Sequence, residues 1–159
     1  MIIGVLGLQG CCVPHEQKFA KLGVPTKRIL YPEDLDEVQA LVLPGGESTT
    51  MLKVRTGGLW EKLLAFGGSK PMWGVCAGCI LLAKRVTHPD QTSLEAMDID
   101  VVRNAYGAQN ESFVAELPLK LGEERATECV FIRAPVISRV GVGLDVLAWH
   151  DNEPVMVEN

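Results

Sequence analysis

The sequence predicts an α/β fold, a three-layer arrangement in which a mostly parallel sheet carries helices on both faces and has antiparallel strands added to it. Short apolar segments alternate with amphipathic segments through the first half of the chain, as expected for strand–helix–strand units. Glycine-bearing loops follow three of the apolar segments. The second half carries short extended segments separated by Gly, Pro and Asn, which favours antiparallel additions.

The first half of the chain supplies the parallel sheet. An apolar run with β-branched residues predicts a buried strand at residues 2–8. A short strand is expected near Thr26–Leu30, and another short buried strand at Ala40–Leu43. Apolar residues at helical spacing predict helices at residues 12–22 and Leu59–Phe66, each followed by glycine, with a helical turn at Asp34–Val38. A further apolar run leads into Gly74 and is followed at once by a helix-like run, so these elements alternate as parallel sheets require.

The second half supplies the added strands. After residues 80–85 the pattern changes to short extended segments at Met97–Val102, Ser112–Leu117, Glu128–Ile132 and Leu144–Trp149. The sequence has no internal repeat, low-complexity segment or linker, so residues 1–159 are expected to form a single domain.

Composition narrows the function classes. The chain has 159 residues, of which 47% are hydrophobic and 22% charged, which suits one domain with a real core. The net charge of −5 argues against a nucleic-acid surface, and no apolar run approaches the roughly 20 residues needed to cross a bilayer. Five cysteines, an odd number without a regular framework, favour a reducing compartment, and the cytoplasm is expected.

The segment Gly74-Val75-Cys76-Ala77-Gly78 is the strongest candidate for chemistry, and we call it the cysteine elbow. A nucleophile that must stand exposed at a tight strand-to-helix turn needs this arrangement, with glycines that let helix and strand pack closely. The helix N-terminus favours the thiolate and is expected to lower the pKa of the cysteine. Taken alone, the same pattern also fits a small buried cysteine at a strand end.

Two other glycine loops are expected at the same edge of the sheet. Gly7-Leu8-Gln9-Gly10 follows the first strand, and Pro44-Gly45-Gly46-Glu47 follows the third, with Ser48, Thr49 or Thr50 as a helix cap. Because ligands bind outside the carboxyl ends of parallel strands, this convergence predicts a site. The first loop does not continue as G-x-G-x-x-G, so a dinucleotide is poorly supported.

Other patterns leave alternatives open. Arg103 and Arg133 are able to clamp a carboxylate, although a lone arginine is more often a solvated surface residue. Cys76 and Cys79 have the spacing of a redox pair, but helical spacing turns Cys79 toward the packed face. A zinc site would need two further ligands in a second C-x-x-C or H-x-x-x-H motif, which the sequence lacks, so no metal is expected.

Together these segments resemble the glutaminase subunits of pyridoxal 5'-phosphate synthase, within the class I glutamine amidotransferases. The resemblance runs from residue 2 to about residue 157 and rests on five motifs in order: G-L-Q-G at 7–10, P-G-G-E-S-T at 44–49, the cysteine elbow, R-N-A-Y-G at 103–107 and F-I-R-A-P at 131–135. The elbow is common to the class, whereas the last two motifs are more specific. The implied fold is flavodoxin-like.

The resemblance also implies residue roles. Cys76 would attack the amide carbon of L-glutamine and form a glutamyl thioester, and the backbone N–H groups of Gly46 and Ala77 would form the oxyanion hole. Glutamine would be held by Gly45, Gly46, Glu47, Arg103, Ile132 and Arg133. Gln9 would lie near the oxyanion hole, at the contact with the synthase subunit.

The implied activity is hydrolysis of glutamine to glutamate and ammonia, without a cofactor. The ammonia would pass to a (β/α)8-barrel subunit that builds pyridoxal 5'-phosphate from ribose 5-phosphate and glyceraldehyde 3-phosphate. This would place the protein in vitamin B6 biosynthesis, in a heteromeric complex.

One part of the family pattern is not found. The family places its catalytic histidine and glutamate in a late F-H-P-E segment, but His15, His88 and His150 are not followed by Pro-Glu. Residues 153–157 match the strand before that segment, so the last strand and helix are expected to be missing and the 159-residue form inactive. A partial sequence, a clipped terminus or a naturally short product would each explain this, and the first two are favoured.

Two rival functions remain open. Another class I amidotransferase subunit, such as that of imidazole glycerol phosphate synthase, would share the elbow but should lack the motifs at 103–107 and 131–135. A non-catalytic regulatory or binding protein on the same fold would need no base for Cys76.

Overall fold

The computed structural model describes residues 1–55, 57–105, 112–122 and 125–159. The chain divides into two compact units, Met1–Leu82 and Ala83–Asn159, which we describe separately. The expectation of one domain stays a prediction.

The first unit is built on a four-stranded parallel sheet. Its strands are β1 (Ile3–Leu6), β2 (Thr26–Ile29), β3 (Ala40–Leu43) and β4 (Met72–Gly74). Their order across the sheet is β2-β1-β3-β4, with Val5 opposite Val42 and Val42 opposite Trp73. Because every pair is parallel, the carboxyl ends of the four strands share one edge.

Helices cover this sheet. They are α1 (Cys12–Lys21), α2 (Ser48–Val54), α3 (Leu59–Gly67) and α4 (Ala77–Leu82), with a short 3-10 helix at Pro32–Glu37. Helix α1 packs its Cys12 and Phe19 against Ile3, Val5 and Val42 on one face. Side chains alternate along a strand, so Leu43 points to the opposite face, where Gly78 of α4 lies against it.

Among its described residues, the second unit contains seven strands. They are β5 (Ala83–Thr87), β6 (Met97–Val102), β7 (Phe113–Leu119), β8 (Arg125–Phe131), β9 (Val136–Val140), β10 (Asp145–His150) and β11 (Glu153–Glu158). Strands β5 and β6 are parallel, β6 and β9 antiparallel, and β7–β8 and β10–β11 form antiparallel pairs. Within the described residues, every helix is too short or too polar to cross a bilayer.

The predicted fold class is confirmed: a parallel sheet with helices, extended by antiparallel strands. Strands β5 and β9 were not predicted. The apolar run after the elbow does not continue as helix to Arg85, because α4 ends at Leu82 and Ala83 already pairs with Met97. The expected cap of α2 was also wrong, since Glu47 occupies the cap position and Ser48 is the first, buried helical residue.

Candidate active site

The cysteine elbow is a tight turn between β4 and α4. Cys76 has a φ of 50°, in the left-handed region that residues other than glycine rarely adopt. Its carbonyl accepts a hydrogen bond from Ile80 N–H at 3.1 Å, which starts the helix, and Gly78 N–H donates to Val75 O at 2.9 Å. A strained cysteine between strand and helix is the geometry of a nucleophile elbow.

Backbone atoms pack against both glycines of the elbow. A Cβ built on Gly74 would lie 2.5 Å from the carbonyl oxygen of Gly78, well inside van der Waals contact. A Cβ on Gly78 would run into the carbonyl oxygen of Leu43, whose strand also accepts a hydrogen bond from Val75 N–H at 3.0 Å. The prediction that these glycines permit close packing of helix and strand is therefore confirmed.

The loop after β3 lies directly beside the nucleophile. A Cβ built on Gly45 would be 3.7 Å from Cys76 Cβ, an ordinary contact distance. The Gly45 carbonyl accepts a hydrogen bond from Cys11 N–H at 2.9 Å, and Glu47 N–H donates to Gln9 Oε1 at 2.7 Å. The three glycine loops of the first unit thus meet, as the sequence predicts.

Glycine is required where the first and second loops touch. Gly10 has a φ of 105°, and a Cβ there would strike the carbonyl oxygen of Gly45. A Cβ on Gly46 would lie 2.8 Å from Gly10 Cα and would also meet Gln9 Oε1. Gly10 was not among the predicted site residues, although its place in the Gly7–Gly10 loop was a usable signal.

The second cysteine of the elbow helix is a poor nucleophile. Burial, and secondarily the nearby Cys76 thiolate, raises the pKa of Cys79 to about 12. Cys79 is therefore almost entirely protonated near neutral pH. Because only the thiolate form of a cysteine attacks readily, Cys79 is unreactive there. The high pKa of Cys79 therefore leaves Cys76 as the candidate for the reactive thiol of the pair.

Arg103 belongs to the second unit, directly after β6. Its N–H donates to Thr87 O at 3.0 Å, and the next residue, Asn104, has a φ of 53°. The Nε atom of Arg103 is buried and has no hydrogen-bond partner within the described part of the chain. Tyr106 and Gly107, the rest of that predicted motif, lie outside the described residues.

Ile132 and Arg133 follow β8 in the same unit. Ile132 is 53% exposed, and Arg133 has a φ of 45°, so the chain turns sharply just after the strand. Phe131, the last residue of β8, is buried and contacts the rings of Phe113 and His150, which also contact each other. Sequence reasoning missed this stack, because nothing in the spacing of these residues links His150 to β8.

The predicted site residues therefore fall into two groups. Gln9, Gly45, Gly46, Glu47, Cys76 and Ala77 come from the three loops that meet in the first unit, whereas Arg103, Ile132 and Arg133 belong to turns of the second unit. The assignment of Gly46 and Ala77 N–H groups to an oxyanion hole stays a prediction. His15 lies in the first unit with its ring edge against Trp73, at 5.5 Å between centroids, and burial lowers its pKa.

Comparisons with known proteins agree with this geometry. The model of the SNO glutamine amidotransferase family matches residues 5–158. The pyridoxal 5'-phosphate synthase subunit PdxT of Dictyoglomus turgidum is 44% identical over 99% of this chain and 85% of its own length. The same subunit of Koribacter versatilis is 47% identical over 99% of this chain and 81% of its own.

A solved structure shows the same architecture. A crystal structure of a glutamine amidotransferase superimposes with a TM-score of 0.90 at 40% sequence identity. The alignment covers 99% of this chain and 85% of that chain.

Proposed function

The chain belongs to the SNO glutamine amidotransferase family, and on that premise we propose that it hydrolyses L-glutamine to glutamate and ammonia. The observation that carries the proposal is the elbow itself, with Cys76 held in a left-handed conformation beside the loop of Gly45. We propose further that it is the glutaminase subunit of a pyridoxal 5'-phosphate synthase, the name borne by relatives of 42–47% identity.

The reaction uses covalent catalysis. The Cys76 thiolate attacks the side-chain amide carbon of glutamine, the carbon–nitrogen bond breaks, and the nitrogen leaves as ammonia after taking up a proton. Water then cleaves the thioester, which releases glutamate and restores the thiol. Gly46 and Ala77 N–H groups stabilise the oxyanion, each donor being worth about 3 kcal/mol.

The remaining site residues hold the substrate. Gly45 and Glu47 lie on the loop that contacts Cys76, so they are placed to bind the amide end of glutamine. Arg103 has a buried Nε without a partner in the described residues, and a guanidinium with free donors suits a carboxylate. Ile132 and Arg133 are also proposed to bind glutamine.

The ammonia has a proposed destination in a (β/α)8-barrel synthase subunit. Gln9 is the proposed link to that partner, because its side chain accepts the hydrogen bond of Glu47 N–H next to Gly46. A displacement of Gln9 on assembly would release that N–H and alter the loop that carries the oxyanion donor. The cytoplasm is the proposed compartment.

The general base for Cys76 is a separate question. None of the three histidines in residues 1–159 is followed by Pro-Glu, the pattern that supplies the base in the family. Ammonia release from glutamine, measured with the barrel subunit present, tests the proposed activity directly.

Active-site labelling tests the function without requiring turnover. A glutamine-like electrophile should modify Cys76, and L-glutamine should protect it. Cys79→Ser should leave the labelling intact, whereas Cys76→Ser should abolish it. Labelling of Cys79 in preference to Cys76, or no protection by glutamine, would overturn the glutaminase assignment and favour a redox pair or a non-catalytic protein.

A further inference from the structure

Three aromatic rings from three different strands of the second unit pack against one another in pairs, an arrangement that we call the stack. Phe113 of β7 lies on Phe131 of β8, with centroids 4.7 Å apart and planes 13° apart. His150, at the end of β10, contacts both rings, with centroids 5.0 Å from Phe113 and 5.4 Å from Phe131. Stacked and tilted rings at these separations attract one another beyond the area that they bury.

The backbone holds the stack in place from each side. Phe113 and Phe131 are directly opposite in the β7–β8 pair. Lys120 N–H, in the segment after β7, donates a hydrogen bond to Leu147 O of β10 at 2.8 Å. The turn after His150 is tight, because Asp151 and Asn152 have φ values of 47° and 66°, as in the turns that close two-residue hairpins.

The stack ends where the candidate substrate turn begins. Phe131 is the last residue of β8, Ile132 follows it, and Arg133 already has a φ of 45°. A residue with positive φ keeps its conformation only when its surroundings determine it. The Phe131 ring packs against two other rings and lies two residues before Arg133, so it restricts the backbone from which this turn starts.

We propose that His150 is a positioning residue: by stacking on Phe131 it holds the Ile132–Arg133 turn in the conformation that binds glutamine. The claim that this turn binds glutamine rests on the proposed function, whereas the ordering of the turn by His150 does not. The role of His150 is that of a flat ring, so it does not touch substrate and takes no part in proton transfer. Another aromatic ring at position 150 should therefore serve, whereas a side chain without a ring should not.

The test compares His150→Ala and His150→Phe in the full chain. Glutamine binding is measured by titration calorimetry, and Cys76 is labelled with the glutamine-like electrophile over a range of concentrations. His150→Ala should raise the glutamine Kd and the half-saturating label concentration about three- to tenfold, while the labelling rate at saturation changes by less than about twofold. His150→Phe should restore both constants to within about twofold of the unsubstituted protein.

Hydrogen exchange of the turn gives a readout that does not depend on glutamine. Backbone amides of Ile132 and Arg133 should exchange faster in His150→Ala than in the unsubstituted protein and His150→Phe, while amides of the parallel sheet keep their protection. His150→Leu, which retains apolar volume without a ring, should behave like His150→Ala and replaces it where the alanine variant does not fold.

The possible outcomes separate the two claims. Unchanged exchange at 132–133 in the variants without a ring, or a phenylalanine variant as impaired as the alanine variant, overturns the positioning role. Faster exchange in a protein that binds no glutamine before substitution supports the ordering of the turn by His150 and overturns the proposed function instead.

Discussion

The two units present their candidate binding residues in different ways. In Met1–Leu82, the site is made by backbone approaching backbone, and a Cβ on Gly10, Gly74 or Gly78 would meet main-chain atoms. In Ala83–Asn159, the candidate turn is supported by packed aromatic side chains instead. The first unit therefore tolerates few residue types at its site, whereas the second tolerates changes that preserve side-chain shape.

Loss of the nucleophile should have the largest effect. Cys76→Ser should lower the rate of labelling or turnover by at least about 10³-fold, because the thiolate is the attacking group. Cys129→Ser, in β8 of the second unit, is the matched control and should retain the rate of the unsubstituted protein. Equal losses in both variants would mean that the chemistry is not confined to the first unit.

Two thiols with a raised pKa, those of Cys79 and Cys129, should differ in how their reactivity depends on pH. Burial raises the pKa of Cys79 to about 12. Burial also raises the pKa of Cys129, but by less. A raised thiol pKa leaves less thiolate at any pH below it, so iodoacetamide should alkylate Cys129 before Cys79 as the pH rises from 7 to 10. Mass spectrometry of the peptides measures the order, and earlier reaction at Cys79 would contradict the burial argument.

A methyl group should destabilise the protein more on a glycine of the cysteine elbow than on a glycine that faces open space. Gly78→Ala should lower the free energy of unfolding by about 3 kcal/mol or more, because its Cβ meets the Leu43 backbone. A Cβ on Gly122 would meet no other atom, so Gly122→Ala should lower the free energy of unfolding only by the strain of the positive φ, about 1 kcal/mol. Urea unfolding measures both, and similar values would remove the proposed contrast.

The loop contact at Gln9 should have a smaller effect. Gln9→Ala removes the acceptor for Glu47 N–H and should lower the free energy of unfolding by about 1 kcal/mol. Gln9→Glu keeps an acceptor oxygen and should lose less. Gln17→Ala, on the exposed side of α1, is the control and should be near neutral in the same urea series.

The smallest expected effect concerns a carboxylate that caps a turn. Backbone N–H groups of Leu30 and Tyr31 lower the pKa of Asp34 by hydrogen bonding to its carboxylate at 3.0 and 2.9 Å. A depressed carboxyl pKa adds stability above the unfolded value of about 4, and this is lost as the pH falls through the folded value. Asp34→Ala should therefore cost about 0.5 kcal/mol at pH 7 and less at pH 2, measured by urea unfolding.

Most of the first unit could be predicted from the sequence because short local patterns determine its strands and loops. Apolar runs such as Ala40–Leu43 and glycine pairs such as Gly74 and Gly78 are visible without the structure, and the loop contacts followed from strand direction alone. Strand β5 was missed because its apolar start continues the helix pattern of α4, and pairing with β6 decides its conformation. The stack of His150 was missed because only the pairing of distant strands brings its ring to Phe131.

The bonds that join the glycine loops also constrain how the protein folds. Glu47 N–H reaches Gln9 Oε1 across 38 positions of sequence, and Cys11 N–H reaches the Gly45 carbonyl, so neither contact forms before β1 and β3 have paired. Long-range pairing of parallel strands is a slow step, because closing the loop between them costs entropy before the contacts between the strands form. The nucleophile loop is thus assembled late, and a chain that has not completed its sheet presents no organised thiol to metabolites around it.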